Sequence, residues 1–215
     1  MAPPVQDADR TGNTKVTAAD WLRAARDTLV DSGVAHVKIL GLARELGVSR
    51  SSFYWYFTDR GDILNALLDE WEARNTRVIV ANCALPAAGI GEAVCNFFTC
   101  FIDDSLFDQA LDFAVRDWAR TDDGVRAKID AADARRLGAV TAMFARHGYA
   151  EAEADARARI LYYMQLGYHA LDVREDAGTR LSRIEAYLNG FTGREIDPAV
   201  AAAFIAKARK IWGAD

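Results

Sequence analysis

Cysteine, proline and long apolar runs are all scarce in this sequence. The three cysteines of its 215 residues, Cys83, Cys95 and Cys100, are odd in number and show no CxxC spacing. That fits neither a disulfide framework nor a zinc site, and buried free thiols are expected. With four prolines and 15 glycines, a collagen-like or low-complexity chain is excluded. The longest uncharged apolar stretch, Val78–Gly91, contains Asn82 and Pro86 and falls short of the roughly 20 residues that cross a bilayer. The first fifteen residues contain no apolar segment of the secretion-signal type. The expectation is a cytoplasmic protein.

Catalytic and metal signatures are also missing. There is no GxSxG, HExxH, P-loop or GxGxxG, and His36, His147 and His169 stand far apart. The acidic clusters Asp103–Asp104, Asp122–Asp123 and Glu151/Glu153/Asp155 fall near expected helix ends. Capping and dipole complementarity explain them better than acid–base chemistry. No enzyme activity, cofactor or metal is expected.

What remains is a chain that is 51% hydrophobic and 27% charged, enough apolar material for a real core. Its net charge of −5 is unevenly placed. Residues 1–60 hold eight basic and seven acidic side chains, and the stretch His36–Arg60 holds four against two. Binding to nucleic acid would therefore have to be confined to a local patch.

The long proline-free stretches rich in Ala, Leu, Arg and Glu favour helix, and no segment alternates with period two. Residues 1–15 are read as a flexible arm. A helix opens at Thr17, where Thr17 and Asp20 form a capping pair, and closes at Gly33, with Leu22, Ala25 and Leu29 on its apolar face. A short helix covers Ile39–Leu46 and stops at Gly47; Ser49 caps another over Arg50–Tyr56. A fourth starts at Thr58 or Asp59, carries Ile63, Leu64, Leu67, Leu68 and Trp71 inward, and runs to about Asn82. Further helices are expected over Glu92–Asp104, Gln109–Arg120, Asp123–His147, Glu151–Leu171 and Arg180–Asn189, and one opens at Asp197–Pro198.

The segment KILGLARELGVSRSSFYWYF has the requirements of a helix-turn-helix. Ala43 permits close crossing, Gly47 tolerates the turn, and Ile39, Leu42, Leu46, Val48, Phe53 and Phe57 face a supporting helix. This leaves Arg50, Ser51, Ser52, Tyr54, Trp55 and Tyr56 outward, and aromatics at such a surface can contact sugar, phosphate and thymine methyl.

From Thr17 to Leu68 the sequence resembles the N-terminal domain of the TetR family of bacterial transcriptional regulators. The resemblance rests on Gly33 followed by LARELGVSRSSFYWYFTDRGDIL, with Ala43, Gly47, Val48, Tyr54, Phe57, Arg60 and Leu64 in the family's spacing. It covers about a quarter of the chain. It implies an all-α protein with a helix-turn-helix DNA-binding domain at residues 16–62 and a helical ligand-binding and dimerisation domain at 63–215. It implies DNA contacts from Ser49, Arg50, Ser51, Ser52 and Tyr54, backbone contacts from Trp55 and Tyr56, and phosphate contacts from Lys38 and Arg60. Lys38 stands where the family commonly has Thr, Tyr56 where it has His, and Gly41 where an acidic residue is usual.

The aromatic set Trp71, Phe97, Phe98, Phe101, Phe113, Trp118, Phe144 and Tyr163 is either plain core or, by the resemblance, the lining of a cavity for an apolar or aromatic effector. The stripe Ala156, Ile160, Met164, Gly167 and Leu171, with Phe204 of the last helix, is either core or the interface of a homodimer. Two heads related by a two-fold axis would match a palindromic operator on double-stranded DNA. The expected function is a ligand-responsive transcriptional regulator, with repression the family default. The alternative is a helical small-molecule-binding protein or protein–protein adaptor with a degenerate head.

Overall fold

The computed structural model describes residues 16–213; the expected N-terminal arm lies outside them. The described residues are all-helical. Helix α1 (Ala18–Ser32) opens with the expected capping box: Thr17 Oγ1 accepts from the Asp20 amide, and the Asp20 carboxylate accepts from the Thr17 amide at 2.8 Å. Helix α2 (Ile39–Glu45) ends at Gly47, whose φ of +66° is open to glycine without the steric cost of a Cβ.

The next segment, Arg50–Trp55, is a 3₁₀ turn and not the short α-helix expected. Its i→i+3 bonds include Ser52 N–H to Ser49 C=O at 3.1 Å and Tyr56 N–H to Phe53 C=O at 3.0 Å. Ser49 occupies the N-cap position but its hydroxyl caps nothing; it meets Ser51 Oγ at 2.8 Å.

Helix α3 (Arg60–Trp71) is capped by Asp59, which accepts from the Asp62 amide at 2.9 Å. It continues through a π-helical turn, Glu72–Thr76, into α4 (Arg77–Ala84), so the expected long fourth helix is present with an irregularity in its middle. The body adds α5 (Ile90–Ile102), α6 (Gln109–Trp118), α7 (Asp123–Arg146), α8 (Glu151–Ala170), α9 (Ala177–Ser182), α10 (Ile184–Thr192) and α11 (Pro198–Trp212). Asp122 and Asp197 cap α7 and α11, with Pro198 at the first helical position.

The single helix expected over Arg180–Asn189 is two. The chain breaks at Arg183, passes through Gly190 as ordinary helix and stops at Gly193, which is left-handed at φ +63°. A Cβ there would lie 2.0 Å from the Arg157 guanidinium, so this stop is set by a neighbouring helix as well as by backbone sterics.

Two cores form. One joins Trp21, Leu29, Phe53, Ile63 and Leu67 of the head to Leu111 and Val115 of α6 and Val125 and Ile129 of α7. The other joins α4, α5, the second half of α7, α8, α10 and α11. The head core thus does not end at residue 62. The first helix lies directly on α6, and the apolar faces of α6 and early α7 are buried there. Trp71 and Trp118 belong to this shared core. The three cysteines are free and buried, and burial raises the thiols of Cys83 and Cys95 to about 12. No helix of the described residues is long and apolar enough to cross a membrane.

Candidate nucleic-acid interface and ligand cavity

In the head, Val37, Leu42, Ala43 and Phe53 are buried. Phe53 meets Trp21 edge to face, with ring centroids 5.2 Å apart. That anchor fixes the orientation of the 3₁₀ turn. Tyr56, at the C-cap of the turn, packs against the head core. Tyr56 is half-buried, and its hydroxyl donates to Val16 C=O at 2.8 Å. The expectation that Tyr56 points outward is corrected for this reason.

Tyr54 and Trp55 face solvent, 47% and 72% exposed. Arg50 and Ser51 are exposed, as are Ser49 and, at the start of α2, Lys38. The Arg50 guanidinium donates to the Tyr54 hydroxyl at 3.0 Å, so charge and ring are held together on one ridge. Ser52 is half-buried and turns its hydroxyl to Ser49 C=O at 2.8 Å. Arg60 is also turned inward: its Nε and Nη2 donate to Val37 C=O and Val34 C=O, each at 2.6 Å. In this geometry two of its nitrogens close the turn before α2.

The body contains two recesses. The first is a largely apolar cavity between α5, α8, α9, α10 and α11, with Phe98, Ile184, Leu188 and Phe204 in its walls and Gln165, Tyr168, Glu175 and Arg180 as its polar groups. Of the eight aromatics expected around an effector, Phe98 alone lines it. Phe97 and Phe144 are fully buried core, and Phe101 packs between Phe97 and Phe107. Trp71 and Trp118 lie in the shared head core, and Tyr163 is 49% exposed on the outside of α8. Phe204, expected at a subunit interface, is buried and lines this cavity. Met164, from the same expected interface, also reaches the cavity wall.

The sequence reading missed Tyr168, Arg180, Tyr187 and Trp212, which the fold brings to the cavity from four separate helices. Aromatic residues recurring after Tyr163 in an otherwise polar stretch were the available signal.

The second recess is a polar cleft where head meets body, lined by Arg26, Arg74, Asp104, Asp108, Phe113 and His169 among others. Phe113 therefore sits at this cleft and not in the apolar cavity. Arg26 of α1 binds Asp108, the N-cap of α6, through Nε at 2.8 Å and through Nη2. Asp108 in turn exchanges backbone hydrogen bonds with the Asn75 side chain of the π turn, at 2.8 and 3.0 Å.

His169 is packed among Phe101, Phe107 and Phe113. Burial, reinforced by Arg180, lowers its pKa to about 4. No group of three or more His, Cys, Asp or Glu suited to a metal occurs among the described residues.

The stripe proposed from α8 divides in the structure. Its buried face is Ala154, Ala158, Leu161, Tyr162 and Gln165, packed largely against α7. Ala156, Ile160 and Leu171 are exposed, Ile160 at 58% and Leu171 at 78%, while Gly167 is half-buried.

Residues 22–67 match the family model of the bacterial regulatory proteins, tetR family. The likeness to that family lies in the head. The match spans α2, the Gly47 turn, the 3₁₀ ridge and most of α3, the elements that present Arg50 and Tyr54. Solved structures share the fold of the whole chain. Mycobacterium smegmatis AmtR aligns with a TM-score of 0.58 at 18% identity, covering 93% of this chain and 97% of its own. Salmonella enterica GusR aligns at 0.57 and 14% identity, covering 94% and 98%. A Mesorhizobium loti protein described as a TetR-family transcriptional regulator aligns at 0.54 and 15% identity, covering 90% and 98%. No curated protein sequence matches the chain. The TetR-type head and the all-helical body are thus both accounted for.

Proposed function

We propose that the chain is a transcriptional repressor that binds a palindromic operator as a homodimer and is released by a small, largely apolar effector. The observation that carries this reading is the ridge after Gly47. Arg50 and Tyr54 are joined by a hydrogen bond, Trp55 is largely exposed, and Phe53 anchors the turn from beneath. An exposed aromatic ridge is unfavourable with nothing to cover it. Seated in a major groove it supplies a guanidinium for guanine or phosphate and rings for sugar and thymine methyl. Lys38, Ser49 and Ser51 flank it as further contacts.

One such ridge reads only a few base pairs, so two heads are needed for specificity. The exposed face of α8, through Ala156, Ile160, Tyr163 and Leu171, supports self-association. The division of labour is a DNA-reading head at 16–62 and an effector-binding, dimerising body at 63–215, coupled through the shared core on α6 and α7.

The apolar cavity between α5, α8 and α11 is the effector site. The lever is the helix from Arg60 to Ala84, with its π turn clamped by Asn75 to α6 and by Thr76 to Arg136 of α7. An effector that binds better to the non-operator spacing of the heads lowers operator affinity, and operator lowers effector affinity by the same factor.

The test is binding to duplex fragments selected from the source genome, measured across a salt series. A regulator shows a steep loss of affinity with salt from counterion release, and Arg50→Ala with Tyr54→Ala abolishes binding at unchanged helicity. Shallow salt dependence, or binding that survives both substitutions, refutes the reading.

A further inference from the structure

The apolar cavity contains one cation that makes no ion-pair contact among the described residues, although the Glu175 carboxylate on the same wall lies near enough to act on it. Its other polar groups are already engaged. The Tyr168 hydroxyl donates to Glu175 Oε2 at 2.6 Å, and Glu175 Oε1 pairs with Arg183. The Gln165 amide nitrogen lies 2.6 Å from His169 Nε2.

Arg180 differs. Its guanidinium lies over the rings of Tyr168, at 5.2 Å, and Trp212, at 5.1 Å. Among the described residues its side chain has no carboxylate within ion-pair distance, and the guanidinium donates no hydrogen bond to protein. Two rings fix the plane of a planar donor fork, which then faces a cavity walled by Phe98, Ile184, Leu188 and Phe204.

We propose that this cavity takes a monoanionic ligand with an apolar body, a hydrophobic carboxylate, held through paired hydrogen bonds to Arg180. A planar fork matches a carboxylate, and the walls suit an alkyl or aryl chain. The Glu175 carboxylate on the same wall opposes a second negative charge, which selects against phosphate monoesters and dicarboxylates. This rests on the reading of the cavity as the effector site, and it specifies the effector's chemical class.

Isothermal titration of the full chain with octanoate and with octanamide tests it. The two share a chain and differ in charge. Octanoate binds about tenfold or more tighter than octanamide. Arg180→Gln removes that difference and leaves amide binding unchanged, while Arg180→Lys keeps part of it; far-UV circular dichroism checks each variant's fold. Equal binding of the two compounds, insensitivity to Arg180→Gln, or no saturable binding of either overturns the proposal.

Parallel anisotropy on the selected operator fragment separates it from the effector reading. Octanoate that binds through Arg180 but leaves the operator complex intact upholds the carboxylate site and refutes the effector role. Release by octanamide as effective as by octanoate does the reverse.

Discussion

Arg136 Nη2 lies 3.0 Å from Asp112 Oδ1, and neither side chain has any contact with solvent. Around this pair the head and body are joined. The Trp71 indole of α3 donates to Asp112 at 2.7 Å, Arg116 bonds its other oxygen at 2.8 Å, and Arg136 Nε donates to Thr76 of the π turn at 3.1 Å. Burial alone would push the Asp112 carboxyl up, but Arg136 and Arg116 outweigh it and hold it below its ordinary value. The helix that leaves the head therefore enters the body through a saturated polar network.

Breaking that network at one partner leaves a charge buried without compensation. Asp112→Asn leaves two guanidiniums to share Asp133, which already binds Arg116 at 2.7 Å. The expected loss is about 3–5 kcal/mol in urea unfolding. The double variant Asp112→Leu with Arg136→Met removes both charges and should cost clearly less than the two single changes summed. Additive costs would show that the pair is not coupled.

The two arginines of the head should separate by what they disturb. Arg50→Ala is expected to leave stability within about 0.5 kcal/mol and weaken operator binding by about 1–3 kcal/mol. Arg60→Ala removes the donors to Val34 and Val37 carbonyls and should cost about 1–3 kcal/mol of stability. Its operator affinity, measured well below the unfolding temperature, should fall less than that of Arg50→Ala. The opposite ranking would return Arg60 to the phosphate-contact role.

On α8, Ile160→Glu with Tyr163→Glu places two charges on the exposed apolar face. Sedimentation should then show a monomer with unchanged far-UV dichroism, because neither side chain is part of the core. A dimer that persists would move the interface to another surface.

His169 makes stability fall in mild acid. Its folded pKa of about 4 lies below the ordinary value of about 6.5. The unfolded chain therefore takes up the proton first as pH drops. The contribution is complete above 6.5 and is lost progressively toward 4, with a ceiling on the order of 3 kcal/mol. The melting temperature should decline between pH 6.5 and 5, and His169→Gln should flatten that part of the curve.

The helices and the head were written in local sequence. Thr17 and Asp20, Asp59, Asp122 and Asp197–Pro198 set helix starts through hydrogen bonds reaching only two or three residues, and Gly47 sets the turn through its own φ. The outward direction of Tyr54 and Trp55 follows from the spacing of Phe53 and Phe57, because one anchored face leaves the others exposed. Such interactions are legible because cause and effect lie within a few positions.

Tertiary structure decided what depends on distant partners. Tyr56 and Arg60 turned inward because Val16, Val34 and Val37 offer carbonyls where the folded head places them. Trp71 and Trp118 became shared core, and the cavity drew Arg180 and Trp212 to Phe98 across some eighty residues or more of chain. An amphipathic helix states only that one face is buried; which neighbour covers it is fixed by the packing of all the others at once.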